Sequence, residues 1–159
     1  MKIAIIDYQL SNLFSVKHAF EYLKIDSQIT SDPSVIASCD AAIIPGVGAF
    51  GDAMNNLKKL DLIDPIKEFI KSGKPFMGVC LGMQLLFSES EEFGIHQGLN
   101  IVKGKVKKFS DTDRLVKVPQ IGWNQILKVN DRWNNSPLKK IKNGEFMYFV
   151  HSYLCLPDD

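Results

Sequence analysis

Short apolar runs alternate with helical repeats in the first 90 residues, and this alternation limits the fold more than any other feature. The clearest runs cover residues 3–6, 40–45 and 75–79, and a weaker one covers residues 28–31. Between and after them, apolar residues recur at helical spacing in residues 13–23, 53–60, 62–71 and 81–87. Because parallel strands are usually joined by helical crossovers, the pattern predicts an α/β fold with a mostly parallel sheet flanked by helices.

The character of the sequence changes after about residue 88, where short alternating segments replace the longer apolar runs. They cover residues 101–109, 115–118, 125–129 and 146–153, and Asn143-Gly144 marks a turn before the last one. We expect these segments to be antiparallel strands added to one side or edge of the sheet. No linker or repeat separates the two halves, so residues 1–159 are predicted to form a single domain.

Composition and charge exclude several classes of protein. Of the 159 residues, 45% are hydrophobic and 23% are charged, and the net charge is +1, which is typical of globular proteins and not of nucleic-acid binders. A basic run over residues 103–108 lacks interleaved aromatic residues and is interpreted as a solvated strand face. The 3 cysteines are scattered, which fits neither a disulfide framework nor a zinc cluster. The N-terminal apolar run is too short for a signal peptide or a membrane span, so we expect a cytoplasmic protein.

The sharpest motif is Gly78-Val79-Cys80-Leu81-Gly82, between a predicted strand and a predicted helix. It has the spacing of a nucleophile elbow, with cysteine as the nucleophile. Such a turn forces an unusual backbone conformation on the nucleophile, and side chains at the glycine positions would collide with the neighbouring strand and helix. The helix N-terminus would favour the thiolate of Cys80, and the N–H of Leu81 would hold an oxyanion. A merely structural role is the alternative for Cys80, and it is our interpretation of Cys39 and Cys155.

A second glycine-rich segment, Pro45-Gly46-Val47-Gly48, follows another predicted strand. Loops at the carboxyl ends of parallel strands share one edge of the sheet, so we expect this loop to face the elbow. Its glycines permit close backbone approach, and the N–H of Val47 is predicted to be a second oxyanion donor. A phosphate-binding loop is the alternative, although no Gly-Lys-Ser/Thr follows.

Together these motifs resemble the class I, triad-type glutamine amidotransferases, which implies a flavodoxin-like sheet. The elbow and the helical residues after it, to Phe87, carry the resemblance together with the Pro-Gly-Val-Gly loop. Within that family the sequence is most similar to the glutaminase subunit of imidazole glycerol phosphate synthase. The segments that narrow it are Ile5-Ile-Asp-Tyr8, Ser11-Asn-Leu13, Ser90-Glu-Glu-Phe-Gly94, Gly122-Trp-Asn124 and Tyr148-Phe-Val-His-Ser-Tyr153.

The resemblance implies roles for individual residues. Cys80 would attack the side-chain amide of glutamine, release ammonia and form a γ-glutamyl thioester that water hydrolyses. Leu81 and the loop at residues 46–48 would supply the oxyanion donors. An anionic Glu92 suits the ammonium group of free glutamine. The residues implied in binding glutamine are Gly46, Gly48, Gln84, Glu92, Ser152 and Tyr153.

The resemblance also implies a partner, a (β/α)8-barrel cyclase that forms a heterodimer with the glutaminase and uses its ammonia to make imidazole glycerol phosphate in histidine biosynthesis. Trp123 and Tyr148 would lie on the face toward this partner, and ordinary packing on a β-layer is the alternative for both. Neither nucleic acid nor a membrane is expected as a partner. No metal or organic cofactor is implied, because thiol chemistry with an oxyanion hole needs none.

The sequence departs from the family in one respect: it contains no His-Pro-Glu, the segment that supplies the catalytic base and its orienting carboxylate. The histidines present are His18, His96 and His151, and only His151 is considered as a substitute base. We therefore expect a C-terminally truncated chain that is inactive alone. The alternatives are a paralogous subunit for surface-sugar amidation, a non-catalytic module that docks on a barrel, and a peptidase or chaperone-like member of the superfamily, which Gln84 and Glu92 disfavour.

Overall fold

The computed structural model describes residues 1–109, 117–129, 133–134 and 136–158. Their contacts divide the chain into two compact units. The first contains Met1–Lys107 and the chain from Cys155 onward, and the second contains Lys108–Leu154. A single domain over residues 1–159 stays a prediction.

The first unit is built on a parallel sheet, as the alternation of apolar runs predicts. Its strands are β1 (Lys2–Ile6), β2 (Asp26–Thr30), β3 (Ala41–Gly46) and β4 (Phe76–Cys80), in the order β2-β1-β3-β4. All pairings between them are parallel. The two central strands, β1 and β3, are almost entirely buried, which is why both are continuous apolar runs in the sequence.

Helices connect these strands, and those predicted from the sequence are among them. They are α1 (Leu13–Tyr22), α2 (Pro33–Ser38), α3 (Phe50–Lys59), α4 (Ile63–Lys71) and α5 (Leu81–Gln84). Gly73 adopts a φ of +78° just after α4, the conformation in which glycine commonly ends a helix. None of the helices in the described part of the chain has the length and apolar character needed to cross a bilayer.

The short helix α2 was not predicted, because six residues are too few to show a helical repeat. Its start does follow a rule that the sequence contains. The Asp32 carboxylate accepts a hydrogen bond of 2.8 Å from the N–H of Ser34, and Pro33 occupies the first helical position. An acidic N-cap followed by proline is a typical helix start.

The helix predicted over residues 81–87 is wrong in its second half. Helix α5 ends at Gln84, and β5 (Phe87–Ser90) begins three residues later. Phe87 and Ser90 are both buried in β5, where Phe87 pairs with Val102 of β7 (Val102–Lys108). Strand pairing and burial have therefore overridden the local helical spacing.

Strand β5 belongs to a second sheet, most of whose residues lie in the first unit. The other strands of this sheet are β6 (His96–Gln97), β7 and β10 (Tyr153–Pro157), in the order β10-β7-β5-β6. Strands β5 and β6 are antiparallel, whereas β5 and β7 are parallel. The basic run lies on β7, where Lys105 pairs with Glu89 at 2.9 Å and Lys107 with Glu91 at 3.6 Å, as expected of a solvated strand face.

The second unit contains an antiparallel pair, β8 (Gln120–Gln125) and β9 (Phe146–His151). A 3-10 helix covers Pro137–Lys140, and Gly144 has a φ of +85° in the predicted turn. The strand predicted over residues 125–129 is wrong. The residues that pair with β9 are those of β8, which ends at Gln125. Of the strand predicted over residues 115–118, residues 115–116 lie outside the described part and residues 117–118 are not in a strand. The later strands thus form sheets of their own instead of extending the parallel sheet.

Candidate active site

Cys80 lies at the junction between strand β4 and helix α5, as the elbow motif predicts. Its backbone has φ 55° and ψ −119°, a left-handed conformation that costs energy in any residue but glycine. The residue is exposed to solvent. A strained and exposed cysteine at a sharp strand-to-helix turn has the geometry of a presented nucleophile.

The two glycines of the motif are required by packing. A β-carbon on Gly82 would lie 1.8 Å from the carbonyl oxygen of Ile44 on β3. A β-carbon on Gly78 would lie 2.6 Å from the α-carbon of Met83. Both distances are far below van der Waals contact, so the collisions predicted from the sequence are confirmed.

The loop at residues 46–48 lies beside the elbow. Gly46 at the end of β3 pairs in register with Cys80 at the end of β4. Gly48 has a φ of +100°, and the Val47 side chain is exposed. The N–H of Val47 donates a 3.1 Å hydrogen bond to the carbonyl oxygen of Leu10. Val47 can therefore act as an oxyanion donor only if this bond breaks.

Glu92 lies next to the same loop. Its Oε2 atom accepts a 2.7 Å hydrogen bond from the N–H of Phe50, the first residue of α3. Its own N–H donates to Ser90 Oγ at 3.2 Å. The carboxylate thus satisfies a free N–H at the start of α3. This N–H belongs to Phe50, two residues after the end of the glycine loop. This helix-capping role was not predicted from the sequence.

Gln84 is the last residue of α5, one turn beyond Cys80, and it is half-buried. The side chains of Cys80, Gln84 and Glu92 and the loop at residues 46–48 all belong to the first unit. No group of three or more His, Cys, Asp and Glu side chains that could hold a metal ion occurs in the described ranges.

The other two cysteines have different surroundings. Cys39 is completely buried. Cys155 on β10 is half-buried, and its burial, helped by the nearby Cys80, raises the pKa of its thiol to about 11. Cys39 is closed to solvent, and the Cys155 thiol stays protonated at neutral pH, so both keep their interpretation as structural residues.

Sequence reasoning missed Tyr8, which follows strand β1. Its side chain is completely buried, and its hydroxyl has no hydrogen-bond partner among the described residues. Burial, and next the nearby Cys80, hold the pKa of the phenol far above its ordinary value of 10.0. It had no predicted role, although it ends the segment Ile5-Ile-Asp-Tyr8, which carries part of the family resemblance.

The remaining predicted site residues lie in the second unit, and their placement beside glutamine stays a prediction. The carbonyl oxygen of Ser152 accepts a 3.0 Å hydrogen bond from the N–H of Phe109, and that of Tyr153 lies 2.7 Å from Nδ1 of His151. Because a carbonyl only accepts, Nδ1 of His151 carries the proton. The rings of Trp123 and Tyr148 meet edge to face with centroids 5.6 Å apart.

The other two histidines lie in the first unit. His18 is exposed on α1, and the ring of His96 packs against Gly51 of α3.

Comparison with known proteins is consistent with this geometry. The family model of the glutamine amidotransferase class-I domain matches residues 4–159. The chain is 46% identical to imidazole glycerol phosphate synthase subunit HisH of Syntrophotalea carbinolica, over 99% of this chain and 77% of that protein. It is 47% identical to the HisH subunit of Sulfurimonas denitrificans, over 99% of this chain and 75% of that protein.

Solved structures share the fold at low sequence identity. PurLQS from Thermotoga maritima superposes with a TM-score of 0.70 and 17% identity, covering 99% of this chain and 70% of that one. A crystal structure of a glutamine amidotransferase gives a TM-score of 0.67 at 12% identity, covering 96% of this chain and 72% of the other.

Proposed function

The chain belongs to the class I glutamine amidotransferases, and from this premise we propose that it is the glutaminase subunit of an imidazole glycerol phosphate synthase. The observation that carries the proposal is the strained, exposed Cys80 opposite the glycine loop of β3. The relatives that are 46% and 47% identical to it are subunits of that synthase by name.

In the proposed reaction, the sulfur of Cys80 attacks the side-chain carboxamide carbon of glutamine. The C–N bond breaks, ammonia leaves after taking up a proton, and a γ-glutamyl thioester remains. Water then attacks the thioester, which releases glutamate and returns the thiol. The N–H groups of Leu81 and Val47 would hold the negative oxygen in both steps, Val47 after leaving the carbonyl of Leu10.

Glutamine would be bound by groups around the elbow. The free carboxylate oxygen of Glu92 would accept from the ammonium group of glutamine, because Oε2 is engaged by the N–H of Phe50. Gln84 would bind a polar group of the substrate from α5. Gly46 and Gly48 would let the substrate approach the backbone, and the backbone of Ser152 and Tyr153 would flank it.

The proposed partner is a (β/α)8-barrel cyclase that forms a heterodimer with this chain. Strands β8 and β9 carry an exposed apolar face that would suit such an interface. Trp123 is 66% exposed and Tyr148 is 53% exposed, and each neighbours further exposed apolar residues two positions away on its strand. The remaining apolar members of this face are Ile121, Phe146 and Val150.

The histidine pathway is the proposed destination of the ammonia, and a cytoplasmic location goes with it, since three free cysteines suit a reducing compartment. Neither a nucleic acid nor a membrane is part of the proposal. Surface-sugar amidation is the alternative acceptor, and no relative described above is named for it. A docking module without turnover is the other alternative, and glutamine-dependent release of glutamate distinguishes it from the glutaminase.

The experiment that tests the proposal combines binding with labelling. The chain is mixed with a (β/α)8-barrel cyclase of a synthase related to those above, and a glutamine-mimicking chloroketone is added with and without glutamine. We expect co-elution in a 1:1 complex, and labelling of Cys80 that glutamine suppresses. Labelling that glutamine leaves unchanged, or the absence of a complex, would contradict the glutaminase and the partner respectively.

A further inference from the structure

Tyr8 carries a buried hydroxyl that lies beside the elbow. The side chain is 0% exposed, and no described residue forms a hydrogen bond with its oxygen. Burying a hydroxyl without a partner costs roughly 1–3 kcal/mol. A phenylalanine would fill the same space without that cost, so the hydroxyl needs an explanation other than packing.

The hydroxyl is aimed at the base of the elbow. A β-carbon on Gly46 would lie 2.1 Å from the Tyr8 hydroxyl oxygen, 2.9 Å from Leu81 Cβ and 3.0 Å from Gly82 N. The oxygen therefore occupies the place of a side chain on Gly46, between the end of β3 and the start of α5. Gly46 is in turn level with Cys80 in the sheet.

The main chain of Tyr8 is fixed from outside the elbow. Its carbonyl oxygen accepts a 3.1 Å hydrogen bond from Nδ2 of Asn56 on α3. The preceding residue, Asp7, donates its N–H to the carbonyl of Thr30 at 2.9 Å. Hydrogen bonds thus hold the main chain on both sides of the Tyr8 side chain, while the hydroxyl has no partner among the described residues.

The phenol also stays protonated. Burial and the nearby Cys80 both hold its pKa far above the ordinary value, so at neutral pH the group offers one O–H donor. Cys155 also lies near Cys80, and its raised pKa keeps it protonated at neutral pH as well. A neutral thiol is a weak acceptor, whereas a thiolate is a strong one.

We propose that Tyr8 is a positioning residue for the nucleophile, and that its hydroxyl donates to the sulfur of Cys80 once the thiol has lost its proton. The hydrogen bond would form on ionisation, and it would give the buried hydroxyl the acceptor that no described residue supplies. It favours the thiolate and fixes its direction relative to the loop at residues 46–48. The inference rests on the proposed function, in which Cys80 is the nucleophile.

The test compares Tyr8→Phe with Tyr22→Phe, which removes a hydroxyl from an 87% exposed tyrosine on α1. Each variant and the unsubstituted chain are alkylated with iodoacetamide from pH 6 to pH 10, and the rate at Cys80 is followed by mass spectrometry. We expect Tyr8→Phe to slow alkylation at pH 7 by about tenfold and to move the midpoint of the rate–pH curve upward. Tyr22→Phe should leave both unchanged.

Thermal unfolding separates positioning from packing. Because Tyr8→Phe removes a buried hydroxyl that lacks a partner, we expect its melting temperature to be unchanged or higher. A lower melting temperature, with faster alkylation of the buried Cys39, would assign Tyr8 to packing and overturn the proposal. An unchanged rate–pH curve for Tyr8→Phe would overturn it as well. If Cys80 of the unsubstituted chain reacts no faster than Cys39 and Cys155, the proposed function fails together with this inference.

Discussion

Position within the fold distinguishes the three cysteine residues, which share the same chemistry. Cys80 is exposed at a strained turn, Cys39 is completely buried, and Cys155 has a thiol pKa of about 11. Among the three, Cys80 is the one whose side chain is exposed to solvent. We expect an alkylating reagent at pH 8 to modify Cys80 first, as measured by peptide mass spectrometry.

The pH dependence supplies the control for this prediction. Because the pKa of Cys155 is raised from 9.0 to about 11, its thiolate forms mainly above pH 10, and its labelling should rise between pH 9 and pH 11. In the unfolded chain this thiol ionises near its ordinary pKa. The contribution of Cys155 to the free energy of folding therefore weakens as the pH rises through the same window. Equal labelling of Cys155 and Cys80 at pH 8 would contradict the elbow assignment.

Glu92 has two functions that substitution can separate. Glu92→Ala removes the acceptor of the Phe50 N–H and should cost about 1 kcal/mol of stability, as the loss of a helix cap does. Glu92→Gln keeps an acceptor oxygen but loses the charge, so it should keep the melting temperature. If the carboxylate binds the ammonium group, both variants should raise the glutamine concentration that half-protects Cys80 from alkylation, about tenfold for Glu92→Gln.

A loss of stability in Glu92→Ala with unchanged glutamine protection in both variants would leave Glu92 with the capping role alone.

The sequence indicated the Glu92 carboxylate through its position in a family motif. It could not show the capping role, because the partner N–H lies 42 residues away in the chain. For the same reason, the sequence could not show the place of the Tyr8 hydroxyl or the hydrogen bond from Val47 to Leu10. Both depend on contacts between separate loops.

At the level of elements, the glycines of the elbow make the strand-to-helix turn possible. A β-carbon on Gly82 would lie 1.8 Å from a carbonyl oxygen of β3. Because this oxygen belongs to the backbone of a central strand, it cannot move aside as a flexible side chain can. Gly82→Ala should therefore destabilise the fold by more than about 3 kcal/mol, as severe overpacking does. Denaturant unfolding followed by circular dichroism measures the loss.

Gly48→Ala is the matched control, because its φ of +100° is unfavourable for alanine but no atom lies within 4 Å of the added carbon. We expect it to cost only about 1–2 kcal/mol, from backbone strain. Similar losses in the two variants would mean that strain, and not the contact with Ile44, explains why the motif needs glycine.

The elements that the sequence predicted are those set by local patterns. The strands β1, β3 and β4 each have an apolar run, and the helices α1, α3 and α4 each have a helical repeat. The boundary between α5 and β5 could not be predicted, because Phe87 fits the helical spacing and pairs with Val102 only in the folded sheet. The position of β8 is likewise set by its register with β9.

At the scale of the whole molecule, turnover of glutamine needs more than a nucleophile. A positioned general base contributes roughly 10²–10⁴-fold, and the sequence contains no His-Pro-Glu to supply it. We expect glutamine hydrolysis by these 159 residues to stay near background even with a cyclase present, as measured by glutamate release. Robust turnover would contradict this expectation and would point to His151 as the base, which His151→Ala would then abolish.

Delivery of ammonia to a partner is the property that belongs to the assembled complex. Free ammonia becomes ammonium in water at neutral pH, so a glutaminase subunit must release it close to the interface. Trp123 and Tyr148 form an exposed aromatic pair, the kind of residue that anchors interfaces. Trp123→Ala should therefore weaken binding to the cyclase by about tenfold or more.

Thermal unfolding of the isolated chain provides the control for Trp123→Ala. A Trp→Ala substitution in a core costs about 3–5 kcal/mol, whereas a side chain that is 66% exposed should cost much less. We expect Trp123→Ala to melt within a few degrees of the unsubstituted chain while its affinity for the cyclase, measured by titration calorimetry, falls. Lys142→Ala, at an exposed position before β9, should change neither quantity. A variant that unfolds early but binds the cyclase with full affinity would assign Trp123 to packing and remove it from the interface.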